Sequence, residues 1–462
     1  MSMQPAISIR KPLAVAPAPA EMRAAPKVSD RWGFLEVFIL AQVILPGLLY
    51  IPGTQPIRVI IRIAPFAISL LGLIFLTYSR RKVRGHPGRS ILMLIIAYLL
   101  VMIASPETNT LRAGMAQTML YFAVMAPVFW APLLVRSKRQ LQRIMAILLI
   151  CNGINAVVGV LQVKFPDTFM PRELSSVWTD IGEQSIGKYI GPNGEEIIRP
   201  TGLSDNPGAV CGPASVAALL GLVMAIRPIA FWKRALAASM AFAGVAAIFL
   251  SHVRTSLLIL AGMCAVYCVL LGLQRQRRRA LVFVSLATGL IAAGLLLASV
   301  LGGEAVVERF ASLLEDDPAT IYQRNRGFML QDTGRYLSDY PLGAGLGRWG
   351  MMRLYFGDES NASSEPLWAE IQFPAWALDG GIVLLVLYML VLLQDTWMET
   401  RNCIALRTTA VASDMAVIVA SNAGVLALIF SFTPFTTQIG LQYWFLAGVL
   451  HGVAQLPKKE LA

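Results

Sequence analysis

Residues 255–301 read TSLLILAGMCAVYCVLLGLQRQRRRALVFVSLATGLIAAGLLLASVL. Two long apolar runs are separated only by a short turn carrying Arg275, Arg277, Arg278 and Arg279. At about 1.5 Å per residue, each run is long enough to cross a hydrocarbon core about 30 Å thick as a helix. A basic turn between two spans is what the positive-inside rule places on the cytoplasmic face. Such a pair cannot be folded into a soluble core, because neither helix has a polar face to turn toward water.

Working outward, the same pattern recurs along the whole chain. Apolar runs are expected to span at 33–50, 57–78, 91–104, 116–134, 144–162, 207–226, 235–251, 255–273, 280–301, 372–393, 411–431 and 438–455. The chain is 56% hydrophobic and only 14% charged, so the apolar excess must face lipid. A β-barrel would show short alternating segments instead, and none is present. The expected fold class is an all-α polytopic membrane protein of about twelve transmembrane helices, with a large helical periplasmic loop.

The formal net charge of +12 does not point to nucleic acid. Its cations sit in short turns: Arg80, Arg81, Lys82, Arg84 and Arg89, then Arg136, Lys138, Arg139 and Arg143, then Arg275 to Arg279. With an N-terminal tail inside, every one of these turns falls on the cytoplasmic side. The expected organisation is a disordered cytoplasmic tail over 1–32, helices 1–9 over 33–301, helices 10–12 over 372–455 and a cytoplasmic C-terminus over 456–462. Two outward segments, 163–206 and 302–371, are too long for simple connectors and read as functional loops. The five cysteines fall in or beside apolar runs without a His or carboxylate cluster, so they read as packing residues.

Four stretches could carry chemistry. Arg199-Pro-Thr-Gly-Leu-Ser-Asp-Asn-Pro207 leads into a span, where a guanidinium and free backbone N–H groups suit an anion. The plainer alternative is a capped loop with an exposed arginine. Ser251-His-Val-Arg254 is a tight turn between two spans, and there Arg254 could simply snorkel to headgroups while His252 serves as a polar surface residue. Residues 321–340 read as a helix with Met329, Thr333, Tyr336, Leu337 and Tyr340 inward, Arg324, Gln331 and Arg335 outward, and Arg326 turned toward the membrane. Pro341 stops that helix, and Gly343, Gly345 and Gly347 follow as a flexible turn. Finally, Glu365 and Glu370 sit just before a span, where a carboxylate could act as general base on a sugar hydroxyl or merely be solvated beside Trp368.

The order of these motifs resembles the O-antigen ligase/polymerase family of bacterial membrane glycosyltransferases. The resemblance covers most of the chain, and it includes Arg326, Pro341-Leu-Gly-x-Gly-x-Gly347 and Asp379-Gly-Gly381. It implies an inner-membrane, multi-pass enzyme with both termini cytoplasmic and a periplasmic active site. Its donor would be an undecaprenyl-diphosphate-linked glycan and its acceptor a glycan hydroxyl, with membrane lipid and other polysaccharide-export proteins as partners. Transfer would be inverting and would need neither a metal nor another cofactor. By the resemblance, Arg199, Arg254 and Arg326 bind the diphosphate, and Glu370 or Glu365 is the catalytic base. Ligases resemble one another in a histidine near the end of the large loop. This chain has none there, which favours a polymerase of O-antigen or exopolysaccharide repeat units. The alternatives are an O-antigen ligase acting on lipid A-core and, outside enzymes, a polytopic transporter.

Overall fold

In lipid, every backbone N–H and C=O must find its partner within the protein, and a continuous helix is the simplest solution. The computed structural model describes residues 32–78, 83–171, 188–190, 194, 196–315, 317–358 and 367–461, and its apolar runs among these are helices. The tail read at 1–32 lies outside the described residues except for Trp32.

In chain order the helices are α1 (Phe34–Tyr50), α2 (Arg58–Tyr78), α3 (Arg89–Met102), α4 (Leu111–Leu134) and α5 (Lys138–Lys164). Then come α6 (Cys211–Ala225), α7 (Phe231–Leu250), α8 (Arg254–Leu273) and α9 (Arg277–Gly302). The long second loop holds α10 (Glu304–Glu315), α11 (Phe328–Asp339) and α12 (Gly350–Phe356). The chain closes with α13 (Gln372–Ala405), α14 (Ala412–Leu428) and α15 (Gln438–Ala454). Among the described residues, seven helices (α2, α4, α5, α7, α8, α9 and α13) are long and apolar enough to cross a membrane. The chain is therefore a helical membrane protein. α1, α3, α6 and α14 are shorter apolar helices, and α13 runs well past the span expected to end at 393.

Small residues set the packing. A side chain at Gly221 of α6 would sit 2.4 Å from the Ala237 carbonyl of α7, and one at Gly244 of α7 would sit 2.5 Å from the Ala214 carbonyl of α6. Only glycine lets these two backbones meet, and the resulting van der Waals contact replaces the hydrophobic drive that is missing between helices in lipid. α5 packs on both, so α5, α6 and α7 form one rigid core, to which α1, α8, α14 and α15 add. A second apolar cluster joins α3, α4, α13 and α15.

The fold is all-helical as expected, and the loop at 163–206 adds only a small antiparallel hairpin, β1 (Lys188–Ile190) paired with β2 (Glu196–Ile198). One local correction follows. The turn after Pro341 is not flexible. α13 kinks at Gly380–Gly381, where Gly381 has φ +60°, and this frees backbone groups in mid-helix. The loop fills that gap: the Ile382 N–H donates to Pro341 O at 3.0 Å, and the Ala344 N–H donates to Leu378 O at 2.7 Å. Tyr98 donates to the carbonyls of Gly380 and Leu342, both at 3.0 Å. A side chain at Gly381 would fall 2.1 Å from Pro341 O, so the close approach needs glycine.

Beneath this joint lies Asp379, fully buried, which accepts from Tyr121 Oη at 2.7 Å, Trp349 Nε1 at 2.9 Å and Gln117 Nε2 at 3.0 Å. One carboxylate thus ties α4, α13 and the long loop together. Such a joint holds the loop's other side chains at fixed places over the helix ends. The α11 pattern agrees with the sequence reading: Met329 and Thr333 are buried, while Arg324, Gln331 and Arg335 are exposed.

Candidate anion-binding site

Arg199 stands directly after β2, at the start of the segment that leads to α6. Its loop is held from below by Gln162, fully buried near the end of α5. Gln162 Oε1 accepts from the N–H groups of Thr201 at 2.9 Å and Gly202 at 2.8 Å. Its Nε2 donates to Gly202 O at 2.9 Å, Phe169 O at 3.0 Å and Thr201 Oγ1 at 3.1 Å. This corrects the sequence reading. The N–H groups of Thr201 and Gly202 are spent on Gln162 and cannot face an anion, and α6 begins at Cys211 rather than at residue 207. What the loop presents is the guanidinium.

That guanidinium lies beside the turn between α7 and α8. A side chain at Gly208 would meet Arg199 Nη2 at 3.5 Å and Val253 Cγ2 at 3.8 Å, so both border the same point. In the turn, Ser251 Oγ donates to Ile248 O at 2.7 Å and accepts from the Val253 N–H at 3.2 Å. His252 takes the left-handed conformation, with φ +58°. It is not the surface residue its position in sequence suggested, being only 4% exposed. Burial, together with the charges of Arg309 and then Arg199, pushes its pKa down to about 4, so the ring is neutral at physiological pH.

No motif in the sequence singles out Arg309. It comes from α10, and its Nε donates to the His252 carbonyl at 3.4 Å. One helical turn further on, Ser312 accepts from Arg254 Nη1 at 2.7 Å. Arg254 therefore does not snorkel away but reaches onto α10. Arg199 borders the 251–253 turn, Arg309 donates to its backbone, and Arg254 runs from its end to α10, from sequence positions that no local motif links. The helical spacing of Arg309 and Ser312 on an amphipathic segment was the only hint available in sequence.

A second group lies on the same side of Arg199's loop. Asp205, fully buried, holds Arg62 at 2.8 Å and Arg58 at 3.9 Å from one carboxylate oxygen. Arg62 also donates to Tyr355 Oη of α12 at 3.1 Å. Asp205 ties both arginines to the loop, its single charge offsetting one of their two, and they brace it from α2.

The remaining sequence candidates form a pair of their own. Arg326, in an irregular turn at 323–327 just before α11, is ion-paired with Glu370. The other oxygen of Glu370 accepts from Trp368 Nε1 at 2.9 Å. Both partners are about one-third exposed, at 34%. The structure thus brings Arg199 and Arg254 to one turn and Arg326 to Glu370, while Glu365 lies outside the described residues. A guanidinium held in place by hydrogen bonds presents a planar donor fork, and a bidentate oxyanion such as a phosphate fits it best. A scan against protein-family models gives no match to this chain, and a search of curated proteins gives none.

Proposed function

We propose that the chain is a glycosyltransferase that polymerises undecaprenyl-diphosphate-linked repeat units of O-antigen or exopolysaccharide on the outer face of the bacterial inner membrane. In this reading the chain has twelve spans, both termini are cytoplasmic and the long loop is periplasmic. The observation that carries the reading is that Arg199 and Arg309 both border the 251–253 turn, with Arg254 following it and reaching Ser312 beside Arg309 on α10. Three guanidinium groups at the end of a membrane bundle suit a lipid-borne diphosphate as it becomes a leaving group.

The reaction is an inverting displacement. The acceptor hydroxyl attacks the anomeric carbon of the donor while the bond from that carbon to the diphosphate oxygen breaks. The electron pair leaves on the diphosphate, where the arginines stabilise it, and the hydroxyl proton passes to a carboxylate. Glu370 is the base in this scheme. Its pairing with Arg326 adds a control: a bound diphosphate competes for Arg326 and releases Glu370 in its ionised form. The carboxylate at this place, and the lack of any histidine in the long loop, favour polymerase over ligase.

Glycan analysis of cells carrying Glu370→Gln tests the scheme. Single unpolymerised repeats with unchanged protein abundance are expected, and normal chain length would remove Glu370 from the chemistry. Labelling of Ser338→Cys from outside intact cells, and of Thr408→Cys only after permeabilisation, would support the orientation.

One observation favours a transporter as second reading. At the other end of the bundle His86 Nε2 lies 3.0 Å from Asp395, which also accepts from Tyr443 Oη at 2.7 Å. One turn away Asn422 donates to Glu399 at 2.6 Å. Buried ionisable groups in a membrane bundle often mark ion paths. Proton uptake by proteoliposomes that vanishes in Asp395→Asn would favour this reading over transfer.

A further inference from the structure

At the opposite end from Arg199, two turns far apart in sequence meet. Gln274, buried after α8, donates to Ala412 O at 3.1 Å and Cys403 O at 3.3 Å, locking the α8–α9 turn against the α13–α14 turn. Between them is a cleft of about 480 Å³ lined by Arg275, Arg277, Arg278, Arg279, Arg407 and Thr408. Arg275 holds φ +62°, a conformation glycine would take without strain, and the joint holds the two turns that carry these five arginines beside one another.

Charge compensation is missing here. Elsewhere on this end Arg143 pairs with Glu36 at 2.9 Å, and Arg227 pairs with Asp414. Among the described residues Arg275, Arg277, Arg278 and Arg407 make no ion pair, and Arg279 reaches only Gln276, at 2.8 Å. The cleft also opens onto lipid-facing surface. Directly after the arginines, α9 leaves Leu281 71% exposed and Val282 50% exposed, and α8 leaves Val269 61% exposed.

We infer that this cleft binds the phosphate headgroup of an anionic phospholipid, with the acyl chains lying along α8 and α9. The chemistry the arginines select is a phosphate oxyanion. The apolar wall that starts within one helical turn of them selects a lipid rather than free phosphate. The proposal is independent of the transfer reaction, since none of these residues belongs to the candidate site above.

The test is native mass spectrometry of the full chain in neutral detergent, titrated with dioleoyl phosphatidylglycerol, dioleoyl phosphatidylcholine or inorganic phosphate. Phosphatidylglycerol should be retained in preference to phosphatidylcholine. Each arginine contributes about a fivefold gain, so R277Q/R278Q/R407Q should weaken retention on the order of 100-fold. The equal-charge variant R136Q/K138Q/R139Q should leave it unchanged. If the triple variant fails to fold, Arg407→Gln alone should still lose about fivefold. Equal loss in the R136Q/K138Q/R139Q control would overturn the site in favour of bulk charge. Retention of inorganic phosphate as strong as that of the lipid would overturn the lipid as occupant.

Discussion

The two ends of the bundle use the same residue type in opposite ways. At the loop-rich end, arginines from separate segments are fastened about one turn by hydrogen bonds: Arg254 donates to Ser312, and Arg309 to the His252 carbonyl. At the other end, Arg275, Arg277, Arg278 and Arg407 stand exposed around an open cleft. The difference teaches that a guanidinium's role is set by what fixes it. A positioned cation can stabilise charge as it develops in a reaction, because no reorganisation is needed at that moment. A surface cation acts mainly through the local potential and is screened by salt.

The largest effect that could break this comparison is on transfer. Arg199→Ala and Arg309→Ala should each slow polymer formation on the order of 10²–10³-fold while leaving membrane abundance intact. A rate unchanged in either would show that convergence at the turn has no catalytic meaning.

Next comes the pH dependence of His252. Its pKa is held at about 4 in the fold against about 6.5 in an unfolded chain. The fold therefore favours the neutral ring, and the stability this confers is present above pH 6.5 and lost as pH falls toward 4. The loss should be on the order of 2–3 kcal/mol after solvent screening, read from unfolding in detergent between pH 7.5 and 4. His252→Gln should flatten that slope, and an unaltered slope would assign the pH effect to other groups.

Gln162→Leu sharpens the same contrast from below. It strands the N–H groups of Thr201 and Gly202 in a buried place, at a cost of about 2 kcal/mol. The transfer rate should fall with it, since Arg199 loses its footing. The smallest effect belongs to the other end, where Arg277→Gln with Arg278→Gln should change stability in neutral detergent by less than about 0.5 kcal/mol. A cost there comparable to that of Gln162→Leu would erase the distinction between the two ends.

Much of the fold was legible because each helix answers a local demand. The inward stripe of α11 could be read from Met329 and Thr333 alone, since helical spacing fixes which side chains share a face. The site was legible only in part. Arg199 and Arg254 stood out beside span ends, yet Arg309 did not, because its relation to His252 depends on how α10 folds back over the turn. The 341–347 turn was misread as flexible for the same reason: its glycines serve a kink at Gly381, distant in sequence. His252 looked exposed because nothing near it in sequence covers it.

By itself the sequence determined that this chain is helical and membrane-embedded. Hydropathy over one helix length is enough, because a backbone in lipid must satisfy its own hydrogen bonds. Only the tertiary structure decided which groups each arginine meets. Asp205 meets Arg62 across 143 residues, and Arg254 meets Ser312 across 58. Charge falls off over a few ångströms of space, not over sequence, so pairing could be settled only once the helices had packed.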